Sequence, residues 1–265
     1  MSEKDNYQPG TPNWTDIGSP DPNATAEFYS ALFGWQVEDP NPDPEYGGYR
    51  MATINGRPVA GIGPAQAPGT PWWTTYISVE DADTTAKVVA DVGGQVLAEP
   101  FDVGPFGRMA LLADPNGAQF SVWQPMQHIG AGLVNEHGAL TWSELHTRDR
   151  DRAKDFYSKV FGWYSNDMDM GQGATYTVVK LTEDENDQGI GGMTPHMGED
   201  RPDHWKVYFA VADADATAAK AAELGGGVTM PPTTMEGVGR LAALTGPHGE
   251  EFMIITNMPA AQTQG

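Results

Sequence analysis

Two short stretches hold the residues best suited to chemistry. In "NWTDIGS" (Asn13 to Ser19), Trp14 and Asp16 lie two apart, and in "TWSELHT" (Thr141 to Thr147) so do Trp142, Glu144 and His146. Both stretches alternate as strands do, which would put each set on one face. A carboxylate among aromatic rings can orient a ligand or act as a general base with a tuned pKa. The plainer role is to accept hydrogen bonds from backbone or from a neighbour such as Lys206. His146 has only Gly18 opposite it in the first stretch, which allows an asymmetric role in the second. Trp14 and Trp142 offer flat surfaces on which a planar or cationic molecule could stack. His128, His137, His196, His204 and His248 fall in expected turns or connections at no recognised spacing. There is no HExxH, Walker loop, strand-following GxGxxG or GxSxG, so zincin, nucleotide-binding and α/β-hydrolase chemistry has no support.

The elements that must position these residues come from a chain of 265 residues, 39% hydrophobic, with 32 Gly and 21 Pro. That composition suits a globular, turn-rich protein of many short elements. With no cysteine, disulfide and thiolate chemistry is excluded. A net charge of −21 argues against a nucleic-acid partner and speaks first to solubility. No apolar run reaches the ~18 residues a membrane span needs, and "MSEKDNYQPG" has no signal-peptide core, so a cytoplasmic protein is expected.

The chain is written twice. Trp14 to Trp35 matches Trp142 to Trp163 at 8 of 22 positions with an offset of 128, and Trp73 to Trp123 matches Trp205 to Ile255 at 20 of 51 with an offset of 132. Four extra residues in the second copy are placed in the acidic "LTEDENDQG", read as an extended hairpin tip. Each copy divides again into strand, helix and three strands. Helices are expected to start at Asp21 and Asp81 as caps and to stop at Gly34 and at Gly93-Gly94. In "AEFYSALFGW" and its echo "KDFYSKVFGW", Phe28, Tyr29, Leu32 and Phe33 share one helical face, a folding signature rather than a catalytic one. The reading is two domains, 12–124 and 139–257, joined by a linker at 125–138.

"TRDRDRAKDFYSKVFGW", "VEDADTTAKVVADVGG" and "GRMALLADPNGAQFSVWQP", each with a partner in the other copy, resemble the vicinal oxygen chelate superfamily of glyoxalases, bleomycin-resistance proteins and extradiol dioxygenases. The resemblance spans residues 12 to 257 and implies an α+β fold: four βαβββ modules forming two cup-shaped mixed β-sheets, helices on the outer faces, and the ligand or metal inside a cup. The metal enzymes of that superfamily place ligands seven residues before each helix-capping Asp and seven after the Asp of "DPNG". Here those positions hold Trp14, Thr74, Trp142, Lys206, Ser121 and Met253. None suits a first-row metal ion, so no metal or other cofactor is expected at the family site.

On the same parity, the first cup would present Trp14, Asp16, Thr74, Tyr76, Gln119, Ser121 and Trp123. The second would present Trp142, Glu144, His146, Lys206, Tyr208, Glu251 and Met253. By the precedent of bleomycin-resistance proteins, the expectation is metal-independent binding of a small aromatic, planar or cationic molecule. The contact residues would be Trp14, Trp142, Tyr76, Tyr208, Ser121, Trp123, Lys206 and Met253. The alternative is an enzyme of lyase, isomerase, or oxygenase or hydroxylase type, using Asp16, Glu144 and His146 as catalytic groups, or a divalent metal at a non-standard site of Glu144, His146 and Glu251. A scaffold working through protein contacts is a third possibility. Four modules already close two cups, so a monomer suffices, and a homodimer is compatible.

Overall fold

The computed structural model describes residues 2–66, 68–69, 71–171, 175–196 and 202–257. The first module runs β1 (Pro12–Ser19), α1 (Pro22–Phe33), β2 (Gln36–Val37), β3 (Arg50–Ile54) and β4 (Arg57–Pro64). The second runs β5 (Trp73–Ser78), α2 (Ala82–Asp91), β6 (Gln95–Val103), β7 (Gly107–Ala113) and β8 (Gln119–Pro125). The third holds β9 (Leu140–Thr147), α3 (Arg150–Phe161), β10 (Tyr164–Asp169), β11 (Thr175–Lys180) and β12 (Gly191–Pro195). The fourth holds β13 (His204–Ala210), α4 (Ala214–Glu223), β14 (Gly227–Met235), β15 (Gly239–Thr245) and β16 (Glu251–Asn257).

Local chemistry explains the helix ends. Asp21, Asp81, Asp149 and Asp213 each cap a helix, their carboxylates accepting backbone N–H groups of the first turn. Gly34 and Gly162 end α1 and α3 in the left-handed region, at φ 76° and 70°. The acidic insertion lies between β11 and β12, where Asp187 accepts from Leu181 N, Thr182 N and Gly189 N and so organises the turn.

Modules pair in chain order. One eight-stranded mixed sheet reads β2-β3-β4-β1-β5-β8-β7-β6, and the other repeats the order as β10-β11-β12-β9-β13-β16-β15-β14. β1 lies antiparallel to β5, and β9 to β13, so the first strands of paired modules meet at the middle of each sheet. The helices cover the convex faces, and those two faces pack on each other. One core joins Phe28, Tyr29, Leu32 and Phe33 of α1 to Phe209, Phe252 and Ile254 of the fourth module. The other joins Phe120 and Val122 to Phe156, Tyr157 and Leu145 of the third. Each large side chain so buried contributes about 1.5–3 kcal/mol, and the echoed "FYS" helices supply the rings at both seams. Module pairing within a sheet and core pairing between sheets therefore differ: each core is built mainly from one module of each domain.

Candidate functional site

Strand register lays the second cup out in rows. His146 on β9 faces His204 on β13, Glu144 faces Lys206, and Trp142 faces Tyr208, which in turn neighbours Met253 on β16. The cup thus grades from imidazole at one rim, through a charged middle, to an apolar end completed by Leu241, Ala243, Ile255 and Met230. Trp142, His146, Lys206 and Glu251 remain half-buried, so this cup opens to solvent.

Glu144 is the hub and is only 7% exposed. Its Oε1 accepts the Tyr208 hydroxyl at 2.8 Å and lies 2.8 Å from His146 Nε2. The His146 contact is close in distance but off the hydrogen-bond axis. Burial alone would raise the Glu144 pKa. The hydrogen bonding and charge of His146, with the Tyr208 and Tyr176 hydroxyls, outweigh it and hold the carboxyl below the usual glutamate range. Burial pushes the Tyr208 phenol well up, so it stays a donor. Lys206 Nζ pairs with Glu251 Oε2 at 3.2 Å rather than with Glu144.

The network is duplicated. In the first cup Asp16 Oδ2 accepts Tyr76 at 2.8 Å and Tyr49 at 3.2 Å, and the Tyr49 hydroxyl accepts the Trp14 indole N–H at 3.1 Å. In the second, the Tyr176 hydroxyl accepts the Trp142 indole N–H at 2.9 Å. Trp14, Tyr49, Asp16 and Tyr76 therefore answer to Trp142, Tyr176, Glu144 and Tyr208. Tyr49 and Tyr176 were not foreseen from the sequence. Each ring lies over a glycine on the neighbouring strand, Gly61 or Gly192, where a Cβ would run into the phenol. Those glycines sit opposite Asp16 and Glu144 in the ladder, and they are the one signal that could have found the tyrosines.

The cups differ in what fills them. Among the described residues Asp16 has no basic partner of the kind His146 gives Glu144, and burial pushes its carboxyl up to about 6 against the pull of Tyr76, Tyr49 and Thr74. Trp14, Tyr76, Ser121 and Trp123 are all buried. The connecting segment covers them. His128 sets its ring edge-on to Trp14 with centroids 4.6 Å apart, Trp123 Nε1 donates to His128 O at 2.7 Å, and Ala131 and Val134 pack into the same cluster with Tyr7. Tyr46 meets Phe106 from the β6–β7 hairpin at 5.7 Å, drawing the two ends of the first sheet together. The aromatic end of the first cup is thus packed by the connecting segment, with Asp16 and Thr74 half-buried beside it, whereas Trp142 of the second cup is half-buried.

The donor set for a metal does not fit. At the family ligand positions the side chains are indole, hydroxyl, thioether and an ion-paired ammonium, with Trp14, Ser121 and Met253 buried. Among the described residues no three His, Cys, Asp or Glu side chains converge on a metal-binding point, so Glu144, His146 and Glu251 are not brought together as the non-standard trio. His204, expected in a turn, instead opens β13 and stacks on His146. No helix among the described residues is long and apolar enough to cross a membrane.

Residues 14–123 match the model of a glyoxalase-like domain, and residues 139–254 that of the glyoxalase/bleomycin resistance protein/dioxygenase superfamily. The protein CFP32 of Mycobacterium tuberculosis (strain CDC 1551 / Oshkosh), whose name assigns it provisionally to the glyoxylases, is 46% identical over 98% of this chain and 99% of its own length. The anthracycline biosynthesis protein DnrV of Streptomyces peucetius is 38% identical over 94% of each chain. Among solved structures, the Mn(II)-bound glyoxalase of Novosphingobium aromaticivorans superposes with a TM-score of 0.64 at 15% identity, covering 96% of this chain and 83% of that one. The 2,3-dioxygenase LapB of Pseudomonas sp. KL28 does so with the same score and identity, covering 96% and 94%. At that identity the likeness is one of fold.

Proposed function

Starting from a chain that belongs to the glyoxalase/bleomycin resistance protein/dioxygenase superfamily, we propose that it binds a small planar aromatic molecule in its second cup without a metal. The supporting observation is the gradient of that cup, from His146, Glu144 and Lys206 at one end to Trp142, Tyr208 and Met253 at the other. A flat apolar body stacks on Trp142 while its polar edge meets the charged row. Trp142 is held in place by its indole N–H bond to Tyr176, and Glu144 by Tyr208. The anthracycline named in the DnrV description is a planar polycycle, which agrees with this ligand class. The family metal positions carry side chains that favour the metal-independent reading. In this reading a monomer or a homodimer acts in the cytoplasm, with a small molecule as its partner.

Titrating the protein with the dihydroxyanthraquinone anthraflavic acid tests this by tryptophan fluorescence and thermal shift. Saturable quenching is expected in the wild type, with about ten-fold weaker binding in Trp142→Ala. A flat titration, or stoichiometric metal in freshly purified protein that is lost in Glu144→Ala, would sink the proposal.

The 2.8 Å approach of Glu144 to His146 favours a second reading, proton-transfer catalysis. The carboxylate would hold the imidazole in the cup, where a ring nitrogen takes a proton from an acidic ligand. In that case His146→Ala abolishes turnover of a carbon-acid substrate while leaving its binding within a few fold.

A further inference from the structure

Three of the six histidines gather at one rim of the second cup. His146 and His204 are ladder partners whose rings stack with centroids 5.1 Å apart and planes 17° from parallel. His196, just past β12, sets its ring edge-on to His204 at 5.7 Å. The first cup has Gly18 and Trp72 at the positions matching His146 and His204, so no such row exists there.

The His204 and His196 rings are turned by one acceptor. The Pro202 carbonyl lies 2.8 Å from His204 Nδ1 and 3.2 Å from His196 Nε2. Carbonyls only accept, so those nitrogens carry the ring protons. The opposite nitrogens therefore present lone pairs. His204 Nε2 and His196 Nδ1 are buried, and among the described residues neither has a partner. Burial pushes the His204 imidazole down to about 4 against the pull of the Pro202 carbonyl, so at neutral pH it is a neutral acceptor. Unmet buried acceptors are costly and call for a donor. No three metal donors converge among the described residues, so the rim offers a metal ion no more than these two imidazoles. What fits is a hydroxyl hydrogen.

We infer that this rim is a subsite for hydroxyl groups of the ligand. The class bound is then a planar aromatic with phenolic or enolic O–H groups at the edge that meets His204 and His196, and an apolar body toward Trp142 and Met253. This rests on the second cup being the small-molecule site. The experiment compares anthraflavic acid with its dimethyl ether, which keeps the ring system and loses both donors, by calorimetry in mildly acidic buffer where the phenols stay protonated. The wild type is expected to bind the diol about ten-fold more tightly than the ether. His204→Phe, which keeps a ring and removes the lone pair, should bring that ratio toward one by weakening the diol alone. A wild-type ratio near one, or a ratio unchanged in both His204→Phe and His196→Phe, overturns the subsite while leaving the cup. Failure of both probes to bind removes the cup reading and the subsite with it. Nitrogen-15 NMR of the wild-type histidines gives a test independent of any variant's folding: a proton on His204 Nε2 instead of Nδ1 also overturns it.

Discussion

Glu250 takes the place of a missing aspartate beside Tyr29. Its carboxylate fills the space that a side chain on Gly246 would need and accepts the Tyr29 hydroxyl at 3.1 Å across the domain seam. In the other copy Asp114 stands where Gly246 does, Ala118 where Glu250 does, and the Tyr157 hydroxyl donates to Asp114 at 3.3 Å. Trp73 and Trp205 donate to the two tyrosines in the same way, at 3.1 and 3.0 Å. One carboxylate per seam is required, and either position can supply it.

Glu250→Ala should therefore cost about 1–3 kcal/mol by removing the acceptor of a buried hydroxyl. Gly246→Asp alone should also destabilise, since its side chain meets Glu250. The double variant Gly246→Asp/Glu250→Ala restores the first copy's arrangement and is expected to recover at least half of the Glu250→Ala loss in urea unfolding. Simple additivity of the two losses would disprove the exchange.

The connecting segment makes a separate prediction. Gly130 has φ 106°, and a Cβ there would run into the backbone oxygen and side chain of Asn13. Asn13 Nδ2 donates to Ile129 O at 2.9 Å, so the segment is bonded to β1. Gly130→Ala should lower stability by about 1–3 kcal/mol from strain at this site alone. An inert linker would tolerate the change, and a melting temperature within a degree of wild type would show that.

Much of this was legible in the chain. The repeats, the capping aspartates, the helix-ending glycines and the α+β cups follow from periodicity and from local rules that act within a few residues. The cover on the first cup was not legible, because Ala131 and Val134 pack from irregular backbone and leave no period of two or 3.6 to read. Tyr49 and Tyr176 escaped for another reason. Their hydroxyls reach the Trp14 and Trp142 indoles from 35 and 34 residues away, across a curled sheet, and only Gly61 and Gly192 mark their path. The unequal openness of the cups depends on what the connecting segment covers, which no local pattern encodes.

Gly192→Ala tests whether Tyr176 positions the ligand wall. A methyl at 192 would displace the phenol that holds the Trp142 indole. Binding of anthraflavic acid should weaken about ten-fold, with the circular dichroism spectrum unchanged. The same substitution at Gly61 disturbs the covered cup, where it should alter stability and leave binding as it was. Equal loss of binding from both variants would argue that the disturbance is global.

The two hub carboxylates should respond to pH with opposite sign. Asp16 titrates near 6 in the folded chain against 3.8 unfolded, so between those values the native state holds the extra proton, and this group's contribution falls as pH rises through the window. The stability of wild type relative to Asp16→Asn should thus be more favourable near the bottom of that window than above its top. Glu144 is held below its usual value, so its contribution is present above the ordinary glutamate pKa and is lost as pH falls through the folded one. Wild type should exceed Glu144→Gln by about 1.5–3 kcal/mol at neutral pH, and that gap should shrink in acid. Urea unfolding of both pairs across the acid range checks this, because other titrating groups are common to each pair and cancel. A Glu144 gap that widens in acid would mean that His146, Tyr208 and Tyr176 do not outweigh burial at Glu144, and an Asp16 gap that narrows in acid would mean that burial does not raise Asp16.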